Sequence, residues 1–164
     1  MPPSPDRPAA PAACRALLGW RLLALLYDLL PAVALWMLVA SLFVAAYLLA
    51  GHGTRENIAP FSSWQWALWL CCWAITGVYA TRSWRGGGQT LGMRPWRLQL
   101  VACDGAPPTR RALWLRFAVG TVSLLAGGLG FWWAWLDPQR RTWHDRASGT
   151  GLRRLDRRGA ATRN

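Results

Sequence analysis

Arg21-Leu-Leu-Ala-Leu-Leu-Tyr-Asp28-Leu-Leu-Pro31 opens a run that stays apolar, Asp28 excepted, from Leu22 to Ala50. As one helix at about 1.5 Å per residue, the run reaches about 44 Å, well beyond the roughly 30 Å hydrocarbon core of a bilayer. It therefore reads as a membrane helix that is tilted, kinked or partly interfacial. A signal-peptide core takes only about 7 to 15 residues, so the run is expected to be a retained anchor.

The rest of the 164-residue chain repeats this division between apolar runs and charged breaks. Hydrophobic residues make up 53% and charged residues only 16%, yet the net charge is +12. A soluble domain carries about 25% charged residues, and a nucleic-acid-binding domain spreads its basic groups over a polar surface. Here the Arg are confined to segments between apolar runs, so nucleic acid is not an expected partner. A second uncharged stretch, Trp64 to Thr81, has Trp64 and Trp66 at one end and Trp84 just past the other, the pattern of an aromatic belt. Trp66, Trp69 and Trp73 share one helical face and read as packing or lipid contact. A third apolar stretch, Ala112 to Leu136, contains Arg116 and the glycines Gly127, Gly128 and Gly130.

These patterns predict an all-α membrane protein, a small bundle of transmembrane helices with two clear spans. The apolar segments are 20–50, 64–83 and 112–136, the last broken by glycine and able to form a helix hairpin. Between the second and third, Arg97-Leu-Gln-Leu-Val-Ala-Cys-Asp104-Gly105 alternates and then meets a tight-turn pair, which predicts a short cytoplasmic β-hairpin. The membrane domain covers residues 15–155. Residues 1–14, rich in Pro and Ala, and the basic residues 156–164 are expected to be disordered tails.

Charge sets the expected orientation, because short cytoplasmic segments collect Arg. Residues 82–111 hold six Arg against Asp104, and residues 137–164 hold eight Arg against three Asp, a net of +5 each. A single crossing by 112–136 would put these two segments on opposite sides. A stretch that breaks at its glycines and returns leaves both tails and the 82–111 loop cytoplasmic, with Arg55 the one Arg outside. The expected partners are therefore anionic lipid head groups, together with a second copy of the chain or a membrane partner protein, since two spans and a broken one can hardly enclose a pathway.

An acid within an apolar span is a functional-site candidate by default, which singles out Asp28. Arg21, seven residues earlier, lies on nearly the same helical face but about 10 Å away along the axis. Pro31 cannot donate to the Tyr27 carbonyl, which weakens the helix beside the acid. Two readings stay open: Asp28 pairs with an Arg such as Arg116 and locks helix packing, or it holds a cation, proton or polar substrate in a wet cleft. A second group, Asp137-Pro-Gln-Arg-Arg-Thr-Trp-His144-Asp145-Arg146-Ala-Ser-Gly-Thr150, places acid, imidazole and guanidinium together. It reads either as a charged interfacial turn, with Asp137-Pro138 stopping one helix and Asp145 capping the next, or as part of a site. Gly86-Gly-Gly-Gln-Thr-Leu-Gly92 lacks the order and the Lys of a phosphate-binding loop and reads as a flexible turn.

Cys71 and Cys72 are adjacent in an apolar run, no CxxC occurs, and the histidines are His52 and His144 alone. No disulfide framework, zinc site or haem is expected, and no cofactor. No GxSxG nucleophile motif is present, so no catalytic residues and no enzyme activity are expected.

Taken in order, Arg21 to Asp28, Gly88-Gln-Thr-Leu-Gly92, Arg97-Leu-Gln-Leu-Val, Asp104-Gly105, Arg116, His144-Asp145-Arg146 and Gly149-Thr150 resemble the RDD family of bacterial membrane proteins, over about residues 15–155. The family is named for one Arg and two Asp, which the resemblance places on Arg21, Asp28 and Asp145. Lys usually flanks Thr-Leu-Gly in that family, where this chain has Gln89 and Met93, and Ala147-Ser148 replaces a usual apolar residue. If those Lys bind an anion, Arg85 and Arg94 would stand in for them. The resemblance implies a bacterial inner-membrane protein of transport type, with some members similar to sodium/proton antiporters. Arg21, Asp28, Arg116, His144, Asp145 and Arg146 are then the expected ion, proton or structural polar network, with Arg21 biasing the charge of Asp28 and with Asp145, His144 and Arg116 coupling the third stretch to the first helix on the cytoplasmic side; assembly or regulation of another membrane complex is the competing role. A reporter fused to the C-terminus is expected to be active only in the cytoplasm; activity only outside would refute a returning third segment.

Overall fold

The computed structural model describes residues 17–53, 58–103 and 107–155. The two expected tails, the Asp104-Gly105 turn and Arg55 lie outside these residues. Five helices and two strands follow in the order α1 (Leu18–Leu49), α2 (Ser63–Gly87), β1 (Leu98–Ala102), α3 (Arg110–Leu125), α4 (Leu129–Leu136), α5 (Trp143–Ser148) and β2 (Thr150–Arg154).

Local chemistry sets most of these boundaries. At the start of α2 the Ser62 side chain accepts from Gln65 N at 3.3 Å, and at the start of α3 the Thr109 side chain accepts from Ala112 N at 3.2 Å. Each satisfies one of the amides a helix start leaves unpaired. Thr142 and Asp145 form a reciprocal capping box on α5. Helix α1 has no such cap and runs unbroken through Pro31 for 32 residues. It is long and apolar enough by itself to cross a membrane, and among the described residues no other single helix is. Helix α2, the expected second clear span, has the length at 25 residues but carries Gln65, Thr76, Thr81, Arg82 and Arg85 along it.

The third apolar stretch bends by 97° between α3 and α4. Gly127 and Gly128 make the corner at φ +68° and +80°, a region that side chains with a Cβ enter only with strain. The expected break is therefore where the glycines are. Gly130 then lets α4 settle on α3, since a Cβ there would meet the Ser123 side chain. This fold-back lays α5 along α3.

One expected element is different. Strand β1 does form, but its partner is not a local hairpin strand; it is β2, antiparallel, with Leu98 opposite Arg154, Leu100 opposite Leu152 and Ala102 opposite Thr150. The reason is burial: β2 supplies Leu152, which joins Leu98, Leu100, Leu113, Met93 and Ala24 in the buried cluster, with Trp20, Trp84 and Trp96 packed around it. A local hairpin at Asp104-Gly105 would need an equivalent apolar residue in its second strand, and the chain after Gly105 reads Ala-Pro-Pro-Thr-Arg-Arg. The sheet thus ties the C-terminal segment to the first turns of α1 and α3.

Leu98 is fully buried while Leu91 is half exposed. Leu98→Ala is expected to destabilise the protein by about 2–5 kcal/mol, read as a lowered midpoint of thermal unfolding in detergent, with Leu91→Ala close to wild type.

Candidate functional site

Two acids organise the polar interior, and each is held by a different set of partners. Asp145 lies in the first turn of α5, its side chain almost fully enclosed. Its Oδ2 meets Arg21 Nη2 of α1 at 2.7 Å, and its Oδ1 meets Arg116 Nη1 of α3 at 2.6 Å. One carboxylate therefore bridges two buried guanidinium groups from different helices. The same Arg116 Nη1 donates to Thr150 Oγ1 at 2.9 Å, and Arg21 Nη1 donates to Thr142 Oγ1 at 3.1 Å. Since a guanidinium only donates, Nε2 of His144 accepts from Arg21 Nη1 at 3.2 Å, which puts the ring proton on Nδ1. That Nδ1 is buried and has no hydrogen-bond partner among the described residues.

The α5 groups titrate accordingly. Burial works to raise the Asp145 pKa, but the Arg116 and Arg21 cations outweigh it and hold the carboxyl well below the usual carboxylate range. For His144, burial and then the Arg116 cation, with Arg21 behind the opposing Asp145, push the pKa down to about 2. The imidazole stays neutral in the fold and serves as an acceptor.

Asp28 is held by uncharged donors. Tyr79 Oη of α2 donates to Oδ1 at 3.0 Å, Gly92 N donates to Oδ1 at 2.8 Å, and Thr90 Oγ1 donates to Oδ2 at 2.5 Å. The Gly88–Gly92 segment, which reads as a flexible turn in the sequence, is thus docked on α1 by its own amide and hydroxyl. The approach requires glycine, because a Cβ on Gly92 would run into the Ala24 carbonyl and the Asp28 carboxyl.

This geometry decides between the pairings the sequence left open and removes one expected residue from the cluster. Arg116 turns to Asp145 rather than to Asp28, and Arg21 does the same, because Asp145 is brought within contact by the returning chain while Asp28 sits two turns along α1. Arg146 is not in the cluster; it lies on the exposed side of α5 and pairs with Asp137 at 3.1 Å. Asp145 fulfils both of its open readings, capping α5 and joining the site. Tyr79, Thr90, Gly92, Thr142 and Thr150 are site residues that sequence reasoning misses. Thr90 and Gly92 carry a signal, standing in the Gly88–Gly92 motif of the family resemblance, as does Thr150 in its Gly149-Thr150 motif; Tyr79 and Thr142 stand in none of its motifs.

Both acid centres border one cavity of about 220 Å³ among α1, α2, α3 and α4. Its polar rim holds Arg21, Asp28, Thr90, Arg116 and His144, and its walls are residues such as Ala32, Ala80, Phe117 and Leu124. Met93, at a position where the family usually has Lys, is buried and lines it too. No group of three or more His, Cys, Asp or Glu able to hold a metal ion occurs among the described residues. A cavity of this kind can accept a small molecule with a polar end and an apolar body.

The family model described as "RDD family" matches residues 15–149, most of the chain. No curated protein and no solved structure matches it.

Removing the bridging carboxylate leaves two buried cations facing each other, so Asp145→Asn is expected to cost about 3–5 kcal/mol, against about 1 kcal/mol or less for the surface partner change Arg146→Ala. Between pH 6.5 and 4 the unfolded chain takes a proton on His144 that the folded chain refuses. Stability is therefore full above pH 6.5 and falls on acidification, by up to about 1.4 kcal/mol per pH unit. Thermal unfolding in detergent across pH 4–8 checks both: His144→Gln should flatten the slope in that window.

Proposed function

The chain belongs to the RDD family, and from that premise we propose that it is a multi-pass cell-membrane protein of transport type, in which the cavity between α1, α2 and α3 is the ligand site. The apolar helix α1 fits a membrane protein. What carries the reading is the convergence of Arg21, Asp28, Arg116 and His144 on one cavity with apolar walls. Polar and ionisable groups are costly within a membrane domain and mark substrate or ion pathways there. In this reading Asp28 is the cation or proton group, reached by a ligand that displaces Thr90 or Tyr79, and the Arg21–Asp145–Arg116 bridge closes the cytoplasmic end. The N-terminus, the 82–111 loop and the C-terminus face the cytoplasm, and the protein works as an oligomer against anionic lipid.

A second reading, a non-catalytic assembly or regulatory partner of another membrane complex, draws on one observation. The Asp28 carboxylate already accepts three hydrogen bonds from its own chain, from Tyr79, Thr90 and Gly92. An acid so satisfied is suited to fixing a loop.

Sodium-driven or potassium-driven proton movement into inside-out vesicles separates the two. The transport reading expects flux with wild type and a loss of at least tenfold with Asp28→Asn. Wild-type vesicles indistinguishable from empty ones would sink it. The partner reading expects Asp28→Asn to lower abundance or complex recovery while no flux changes.

A further inference from the structure

The two halves of the Arg116 guanidinium are used unequally. Nη1 spends its donors on Asp145 and Thr150, whereas Nη2 and Nε have no hydrogen-bond partner among the described residues and are not sealed from solvent. The side chain is only 5% exposed and lies 5.7 Å from the centre of the Trp84 ring, so the open edge can face little except the cavity that Arg116 lines. A buried guanidinium edge without an acceptor is costly, and its two parallel N–H directions match a carboxylate or phosphate.

Around that edge the chemistry is one-sided. Asp145 faces away into its own bridge, and Asp28 is engaged by Tyr79, Thr90 and Gly92. The Arg21–Asp145–Arg116 group as a whole carries one positive charge in excess. His144, which also lines the cavity, is a neutral imidazole and brings no counter-charge. Beyond this end the walls are alkyl and aromatic, from Leu25, Ala32, Phe117 and Leu124. At about 220 Å³ the space exceeds the roughly 150 Å³ that suffices for a benzene-sized guest, though it falls short of the about 300–1,000 Å³ of a drug-sized site. It holds a head group and a few carbons, and a longer tail must leave through the open side.

We infer that this cavity binds an anionic amphiphile, its carboxylate or phosphate monoester on the free edge of Arg116 and its apolar body along α3 toward Leu124. The inference rests on the reading of the cavity as a ligand site and names the class of ligand. A carboxylate at Arg116 next to a monovalent cation or proton at Asp28 would also make the bound pair neutral.

Full-length protein in phosphatidylcholine nanodiscs is photolabelled with a diazirine fatty acid and the labelled peptides are mapped. Label is expected on the cavity residues of α2 and α3, displaced by decanoate and by decyl phosphate but not by decyltrimethylammonium or inorganic phosphate. Displacement by only one of the two anions identifies the head group. Arg116→Lys, which keeps the charge but loses the fork, should cut labelling several-fold. Since that change touches the Asp145 bridge, Gly120→Leu is the cleaner variant: Gly120 lines the cavity, and a Cβ there meets nothing within 4 Å, so the added side chain enters the space without replacing any group of the bridge. It should cut labelling at least tenfold at unchanged thermal stability. Label confined to lipid-facing α1 residues such as Leu26 and Leu30, equal displacement by the cationic amphiphile, displacement by inorganic phosphate alone, or unchanged labelling of Gly120→Leu would each overturn the inference. Specific labelling without any vesicle flux removes the transport reading and leaves the site standing.

Discussion

A single buried carboxylate, Asp145, holds the protein's ends together. Two guanidinium groups removed from water, Arg21 near the start of α1 and Arg116 in α3, would each cost several kcal/mol if left without a counter-charge. Asp145 meets both at hydrogen-bond distance. The rest of the C-terminal architecture serves this contact. The glycine corner at 127–128 turns the chain back, the capping box with Thr142 aims the carboxylate, and β2 fastens the returning segment to β1. Such a bridge is better understood as a device of specificity than of raw stability, because the desolvation of three charges offsets much of their attraction while the one carboxylate fixes α1, α3 and α5 relative to one another.

Asp28 solves the same problem by other means. Two turns along α1 from Arg21, it is satisfied in hydrogen-bonding terms by a tyrosine, a threonine and a glycine amide. The two solutions have different consequences. A carboxylate locked between two Arg is rigid, and its charge is fixed over the working pH range. A carboxylate held by neutral donors, Tyr79 on α2 and Thr90 and Gly92 in the 88–92 segment, is left without a paired cation among the described residues. The cavity lies between these two acids, with the unused edge of Arg116 on its rim.

The apolar character of α1, the break in the third stretch and the conspicuous charges Arg21, Asp28, Arg116 and Asp145 were legible from the sequence, because each depends on local composition. An 18-residue window reports apolarity, adjacent glycines report a corner, and an acid or Arg inside an apolar run is conspicuous wherever it points. The pairings were legible only in part: the grouping of Arg116 with Asp145 and His144 was among the expectations, while the full set of partners was not. Helical spacing put Arg21 and Asp28 on one face, and both turned elsewhere; Arg146, next in sequence to Asp145, sits on the opposite side of the short α5.

The sequence by itself determined which segments are apolar, where the charges lie and where the chain can bend, since these follow from side-chain chemistry and backbone freedom at each position. The tertiary structure alone decided the strand partner of β1, the partners of each Arg and Asp, and the existence of the cavity. Those outcomes depend on groups far apart along the chain being brought into contact, up to 121 positions for Arg21 and Thr142, which meet at 3.1 Å. Contact at that distance is a property of the whole fold, because buried charge takes whichever counter-charge the folded chain delivers.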